Sequence, residues 1–273
     1  MYIRPSATLK NYALFPMSTT GLLHAAVALG VGLIGGAINA VAAGGTLVTF
    51  PALIWLGLNS VTANATSTVA LWPFVLGGMF GYRRELRDVE RRLLYFVIPS
   101  LLGGLAGAMV LRSTPSSVFD RLVPYLILFA TLLFMLQEAV QRRLKLAGPA
   151  AHRSMTWLAG AMLFQLMVAF YGGYFGAGIG ILMLAALAVL GMTNIHQMIG
   201  LKNVMSGAIN GVAAIYFIVE KMVSWPDVSA MAAGAIAGGY FGARVARWMG
   251  VKAARRIVIV VGFGMTLALF IKR

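Results

Sequence analysis

The chain contains no cysteine, which excludes disulfides, thiolate metal sites and thiol redox chemistry. Charge is nearly as scarce. Only 11% of the 273 residues are Asp, Glu, Lys or Arg, against about 25% in ordinary soluble domains. None of the four occurs from Asn11 to Tyr82, and none from Ser154 to Leu201. A bilayer-crossing helix needs only about 20 apolar residues, so each of these runs has room for more than one crossing. Carboxylates are the rarest charges. Glu85, Asp88, Glu90, Asp120, Glu138, Glu220 and Asp227 all fall in loops or at the ends of apolar segments. Carriers of cations and protons commonly hold carboxylates within their spans, and divalent cations need anionic oxygens around them. A cation cargo and a resident metal are therefore both disfavoured.

Signatures of catalysis are missing as well. No GxSxG, HExxH or Walker-type phosphate loop occurs, so the chain reads as neither a hydrolase nor an ATPase, and no cofactor is implied. His24 and His196 are the histidines near the apolar segments, each alone in sequence. Both read as satisfied structural groups rather than catalytic bases.

What is abundant points to lipid. Hydrophobic residues make up 60% of the chain and the mean hydropathy is +0.87. Backbone polar groups in hydrocarbon must be satisfied internally, which leaves helices or closed barrels, and the long apolar runs lack the two-residue alternation of a barrel. The class is an all-α polytopic membrane protein. The net charge of +15 sits in short loops between apolar segments, the pattern of the positive-inside bias. It calls for no nucleic-acid partner.

Apolar segments fall at 20–42, 46–57, 62–81, 92–111 and 118–138, then at 155–177, 180–190, 197–219, 227–249 and 253–271. Both sets share one rhythm: a long segment, a glycine break, a short segment, then three ordinary spans. Gly45 corresponds to Gly180, and Gly103, Gly104 and Gly107 to Gly238, Gly239 and Gly242, at a constant offset of about 135 residues, the mark of an internal repeat. The basic loops exchange places between the sets. Loop 82–92 holds Arg83, Arg84, Arg87, Arg91 and Arg92, while its counterpart 220–226 holds only Lys221. Loop 112–121 holds Arg112 and Arg121, while its counterpart 244–256 holds Arg244, Arg247, Lys252, Arg255 and Arg256. With basic loops in the cytoplasm, the halves have opposite orientation, as in many secondary transporters. The expected architecture is two inverted-topology repeats of about five segments, with eight full spans and two glycine-broken hairpins. A tail at 1–19 precedes the first repeat at 20–140. A basic cytoplasmic connector at 141–153 leads to the second repeat at 154–273.

The short segments 46–57 and 180–190 reach only about 18 Å at 1.5 Å per residue, less than a ~30 Å hydrocarbon core. They read as half-helices. A half-helix that starts inside the membrane aims unpaired N–H groups and a positive dipole end inward, where an anion would sit. Gly44, Gly45 and Thr46 open the first; Gly178 and Gly180 open the second. Polar residues enter the following spans at matching positions, Thr66 and Ser67 in one half and Lys202 and Asn203 in the other. These nine residues are the candidate anion site. Gly35, Gly36, Gly103, Gly104, Gly107, Gly238, Gly239 and Gly242 read instead as small-residue contacts between packed helices.

The stretches Gly35-Gly36-AINAVAA-Gly44-Gly45-T-LVTF-Pro51 and Ala63-N-A-Thr66-Ser67, with Gly172-Gly173-YF-Gly176-A-Gly178-I-Gly180 and Gly200-L-Lys202-Asn203, resemble the TauE/SafE family of sulfite exporters over essentially the whole chain. The resemblance implies a multi-pass carrier in the bacterial inner membrane that moves sulfite, sulfoacetate or related organosulfonates, usually outward. It places Gly44, Gly45, Thr66, Ser67, Gly180, Lys202 and Asn203 on the anion path. The expected partners are a small anion and the bilayer, with a homo-oligomer possible in such a protein. A carrier of another small organic anion and a membrane scaffold without cargo are the competing readings.

Overall fold

The computed structural model describes residues 19–42, 44–81, 84–89, 91–146, 155–189, 192, 194–249 and 251–271. The tail at 1–18 and residues 147–153 of the expected connector lie outside that set, as does the side chain of His196. All regular structure among the described residues is helical. The order is α1 (Thr19–Ala42), α2 (Thr46–Trp55), α3 (Ser60–Gly81), a 3₁₀ turn at Glu85–Asp88, α4 (Arg91–Leu94), α5 (Val97–Ser113) and α6 (Ser116–Leu146). Then follow α7 (Met155–Tyr174), α8 (Ile179–Val189), α9 (Ile195–Val219), α10 (Trp225–Met249) and α11 (Val251–Ile271).

Local chemistry explains several boundaries. The Asn59 side chain accepts a hydrogen bond from the Thr62 amide (2.9 Å) at the start of α3, and Asn194 accepts one from Gln197 (3.3 Å) at the start of α9, both as N-caps. Gly57, with φ +98°, ends the turn after α2, a conformation that favours glycine. At the start of α10, Ser224 precedes Trp225-Pro226, and Asp227 places a carboxylate in the first turn, where the helix dipole favours it. α6 runs on to Leu146, past the apolar segment and into its basic end.

The surface is inverted relative to that of a soluble protein. Leu22 and Leu23 on α1, Leu102 on α5, Leu163 and Met167 on α7, Ile236 and Tyr240 on α10, and Leu267 on α11 are all exposed. Thr49, Asn64, Thr66, Ser67, Ser100, Thr131, Gln165 and Asp227 are buried. Apolar side chains turned outward around a mainly apolar interior that also holds these polar groups suit a hydrocarbon surround, because water would penalise so large an apolar surface. By length and composition, Gly21–Asn39, Ser116–Leu133 and Gln197–Val219 are each able to cross a membrane among the described residues, and four shorter apolar helices accompany them. This is consistent with a polytopic membrane protein.

Two helix pairs form the closest seams. α1 lies along α10, and α5 lies along α7. A Cβ on Gly36 would strike the Ala235 carbonyl, and one on Gly238 the Leu33 carbonyl; in the other seam, one on Gly107 would strike the Phe170 carbonyl. The absent side chains let backbones touch, as expected for small-residue packing in membranes. The pairings also fix helix directions. Gly32 meets Met231 and Gly36 meets Ala235, so α1 and α10 run the same way; Gly103 meets Leu166 and Gly107 meets Phe170, so α5 and α7 do too. At one end of the molecule, Arg112 Nε at the close of α5 donates to Glu220 Oε2 just after α9 (3.0 Å). The Ser224 amide donates to Thr66 Oγ1 in α3 (3.0 Å), and His24 Nε2 in α1 lies 2.8 Å from Asp227 Oδ1. Thus α1, α3 and α10 begin at the end where α5 and α9 finish.

Candidate functional site

After α1 the chain turns through Gly44 and Gly45 into α2 without a side-chain cap. Leu47 and Val48 donate to the carbonyls of Gly44 (3.1 Å) and Gly45 (3.0 Å), and the Gly45 amide reaches Asn39 Oδ1 at 3.4 Å. A Cβ on Gly45 would come within 2.6 Å of the Gly35 carbonyl, so glycine is what allows this turn to close against α1. The second break is built differently. Gly176 (φ +82°) and Gly178 (φ +81°) take left-handed conformations between α7 and α8, and the Tyr171 hydroxyl spans the break to the Ala177 carbonyl (2.8 Å). Each break ends in a short helix whose first turn is closed by the break itself, as the Ile181 amide donates to the Gly178 carbonyl (3.1 Å) just as Leu47 and Val48 donate to Gly44 and Gly45. At about 1.5 Å per residue, the 10 residues of α2 and the 11 of α8 stop well short of a full crossing.

Both breaks open on one cavity of about 50 Å³, room for a few waters at ~10–15 Å³ each. From the breaks come Asn39, Thr46, Gly176, Ile179 and Gly180. α3 contributes Thr68, Leu71, Trp72 and Val75, and α9 contributes Lys202, Ser206 and Asn210. The two spans pack against each other, and each turns one helical stripe inward. The α3 stripe is mostly apolar; the α9 stripe is polar at every fourth residue.

The hydrogen-bond ledger of this wall favours an anion. Asn210 Nδ2 donates to the Ser206 carbonyl (2.9 Å) and to Ser206 Oγ (3.1 Å), so the serine acts as acceptor there and its own O–H remains to be given. Asn39 Oδ1 faces the Gly45 amide, which leaves its NH₂ as a donor. Trp72 Nε1 is buried without a partner; it is a donor with no acceptor capacity. Lys202 adds an ammonium, and among the described residues no carboxylate lines the cavity. Donors and positive charge converge here, with Asn210 Oδ1 an acceptor turned toward Gly176.

Of the nine residues expected at the site, Thr46, Gly180 and Lys202 stand on the cavity wall. Gly44 and Gly45 form the buried turn beneath Thr46, and Gly178 forms the turn before α8. Thr66 and Ser67 are buried and engaged elsewhere: Thr66 with Ser224, and Ser67 Oγ with Thr49 Oγ1 at 2.6 Å. Asn203, one residue beyond Lys202, does not line the cavity. Thr68 does, and Asn39, Trp72, Ser206 and Asn210 are wall residues that motif reading passed over. The i, i+4, i+8 spacing of Lys202, Ser206 and Asn210 was the available signal, since it puts all three on one helix face.

The profile of the family described as Sulfite exporter TauE/SafE matches residues 28–269. A probable membrane transporter protein of Haemophilus influenzae is 29% identical over 238 residues, covering 86% of this chain and 90% of that protein. The probable membrane transporter protein YfcA of Escherichia coli K12 is 25% identical over 240 residues, covering 88% of this chain and 87% of that protein. The probable membrane transporter protein ORF9 of a Sinorhizobium species is 23% identical over 244 residues, covering 86% and 88%. No solved structure matches the chain.

Proposed function

Because the chain belongs to the TauE/SafE family of membrane transporters, and is not an enzyme, we propose that it is a secondary carrier of small sulfur-containing anions. Sulfite, sulfoacetate and related organosulfonates are the cargo, moved outward across the bacterial inner membrane. The cavity between the two glycine breaks carries this reading: its wall offers an ammonium, the partnerless Trp72 N–H and, among the described residues, no carboxylate. A fixed set of donors around a desolvated anion replaces the hydration shell that the ion leaves behind. The absence of a phosphate-binding loop from the sequence supports transport driven by gradients rather than by ATP.

The two halves act as inverted repeats in this proposal. The exchange of basic loops supports it, and so do the helix directions. α3 starts where α9 finishes, and α10 starts where α5 finishes, which is the relation expected of counterparts of opposite orientation. Rocking of the halves about the cavity would then expose it to each side in turn.

The test is flux of radiolabelled sulfite and sulfoacetate in proteoliposomes. Wild type should exchange internal for external label, and Lys202→Ala should lose about 10- to 100-fold, the scale of a charge-assisted hydrogen bond. Wild-type flux in that variant would remove the site. Exchange of carboxylates but of no sulfur oxyanion would remove the cargo class and leave the carrier of another organic anion.

A further inference from the structure

One charged cluster lies outside the cavity and is not used by anion binding. Asp227, in the first turn of α10, is 3% exposed. Its Oδ1 lies 2.8 Å from His24 Nε2, and its Oδ2 accepts the Ser224 hydroxyl at 2.6 Å. Sequence position alone placed this carboxylate at the end of an apolar segment; the fold buries it beside α1. A buried carboxylate without partners is costly, and here both carboxylate oxygens are engaged, by His24 and by Ser224. Among the described residues, the titratable groups on the elements packed around the pair lie away from it. α2 and α3, which pack on α1, carry no titratable side chain, and α11 carries Lys252, Arg255 and Arg256 only at the opposite end. On α10, Tyr240, Arg244 and Arg247 lie further down the helix. Nearby in the loop, Glu220 is paired with Arg112 from α5, and Lys221 is exposed.

Hydrogen bonds run from this cluster to the cavity. Ser224, which bonds Asp227 through its hydroxyl, donates its amide to Thr66 on α3. The next residue, Ser67, bonds Thr49 on α2 (2.6 Å), and Thr49 donates to the Gly45 carbonyl (3.2 Å). Gly45 in turn contacts Asn39, a wall residue, and Thr68 on the same stretch of α3 is another. The α1–α10 seam is closed by backbone contacts at Gly36 and Gly238, so relaxation on protonation falls to Ser224 and α3 rather than to the seam.

We propose that the His24–Asp227 pair is a proton-binding site, distinct from the anion cavity, that couples proton movement to anion transport through Ser224, Thr66 and the start of α2. A proton taken up at the Asp227 carboxyl removes the negative charge that holds the Ser224 hydroxyl, releases α3 at Thr66, and alters the turn under Thr46. An intramembrane ionisable pair with a defined partner is the usual form of such a site, and the coupling is reciprocal: bound anion changes proton affinity by the same factor. The inference rests on the carrier reading, and the experiment separates the two.

Reconstituted protein is loaded with sulfoacetate, voltage is clamped with potassium and valinomycin, and a one-unit pH gradient is imposed. With one proton coupled per anion, wild type should build about a tenfold anion gradient, since one pH unit is a tenfold difference in proton activity. Asp227→Asn should keep anion counterflow, which shows it is folded and binds cargo, yet build no gradient; His24→Gln should behave likewise. A wild type indifferent to the pH gradient, or an Asp227→Asn variant that still responds, overturns the proposal. Infrared difference spectra between about pH 5 and about pH 8, the range in which histidine titrates, supply a readout independent of cargo. A protonated-carboxyl band present in wild type and lost in Asp227→Asn is expected. Its absence from wild type overturns the proton site even if no sulfur anion is carried, whereas failure of counterflow in every variant strikes only the carrier reading.

Discussion

Trp72 lines the cavity and its buried indole N–H has no protein acceptor; Nε1 and two ring carbons lie 3.0–3.2 Å from where a Cβ on Gly211 would stand. Ring and donor can be separated by substitution. Trp72→Phe keeps most of the packing and removes one hydrogen bond, so anion affinity should fall by about 2- to 10-fold, corresponding to ~0.5–1.5 kcal/mol, with little change in thermal stability. Competition of unlabelled against labelled sulfoacetate measures it, and unchanged affinity would mean that the N–H does not face the anion. The neighbouring polar positions show why residue identity alone was a partial guide. Thr66, Ser67 and Thr68 are chemically interchangeable in sequence, but successive helical residues point about 100° apart. Only Thr68 reaches the wall; Ser67 turns to Thr49 and Thr66 to Ser224. Asp227 was equally opaque, because its burial comes from α1, some two hundred residues earlier in the chain.

The helices themselves were easier to read, since their limits follow from apolar length and glycine. The starts of α2 and α8 fall at Thr46 and Ile179, within a residue of the breaks, because a φ of +82° or +81° at Gly176 and Gly178 suits glycine and stops a helix. The 31-residue α6 was less legible: its final turns carry charged residues, and helix propensity continues where hydropathy ends. The glycines also divide by what faces them. Gly238→Val would drive a side chain into the Leu33 carbonyl, and overpacking of this kind costs about 1–3 kcal/mol or more, so the variant should melt earlier in detergent or fail to assemble. Gly30, on the same helix as Leu33, has nothing within 4 Å of its Cβ position. Gly30→Ala should be neutral or stabilising by up to ~1 kcal/mol. Equal melting of the two variants would show that the α1–α10 seam is not held by backbone contact. Gly178→Ala isolates a different term. Its Cβ would meet Leu133 Cδ1 at 3.3 Å, a flexible neighbour, so the left-handed backbone sets the cost, about 1–2 kcal/mol.

For the whole molecule, the question that joins site, coupling and cargo is which end faces which compartment. The end that holds Arg112, Glu220, Ser224, His24 and Asp227 is the one where α3 begins. α3 then leads away toward Arg84, and α10 leads away toward α11 and Arg256. Lys221 therefore sits at one end and both Arg84 and Arg256 at the other, and all three side chains are exposed. The positive-inside bias puts the arginine-rich end in the cytoplasm. With no native cysteine, a single introduced thiol reports its own side without background. Lys221→Cys should react with a membrane-impermeant maleimide in intact cells, whereas Arg84→Cys and Arg256→Cys should react only after permeabilisation. Arg84 belongs to the first half and Arg256 to the second, so their shared protection is what opposite orientation of the halves requires. Labelling of Arg84→Cys but not Arg256→Cys in intact cells would sink the inverted arrangement. Labelling of both, with Lys221→Cys protected, would keep the inversion but reverse the protein, placing the His24–Asp227 pair toward the cytoplasm and reversing the side from which protons reach it.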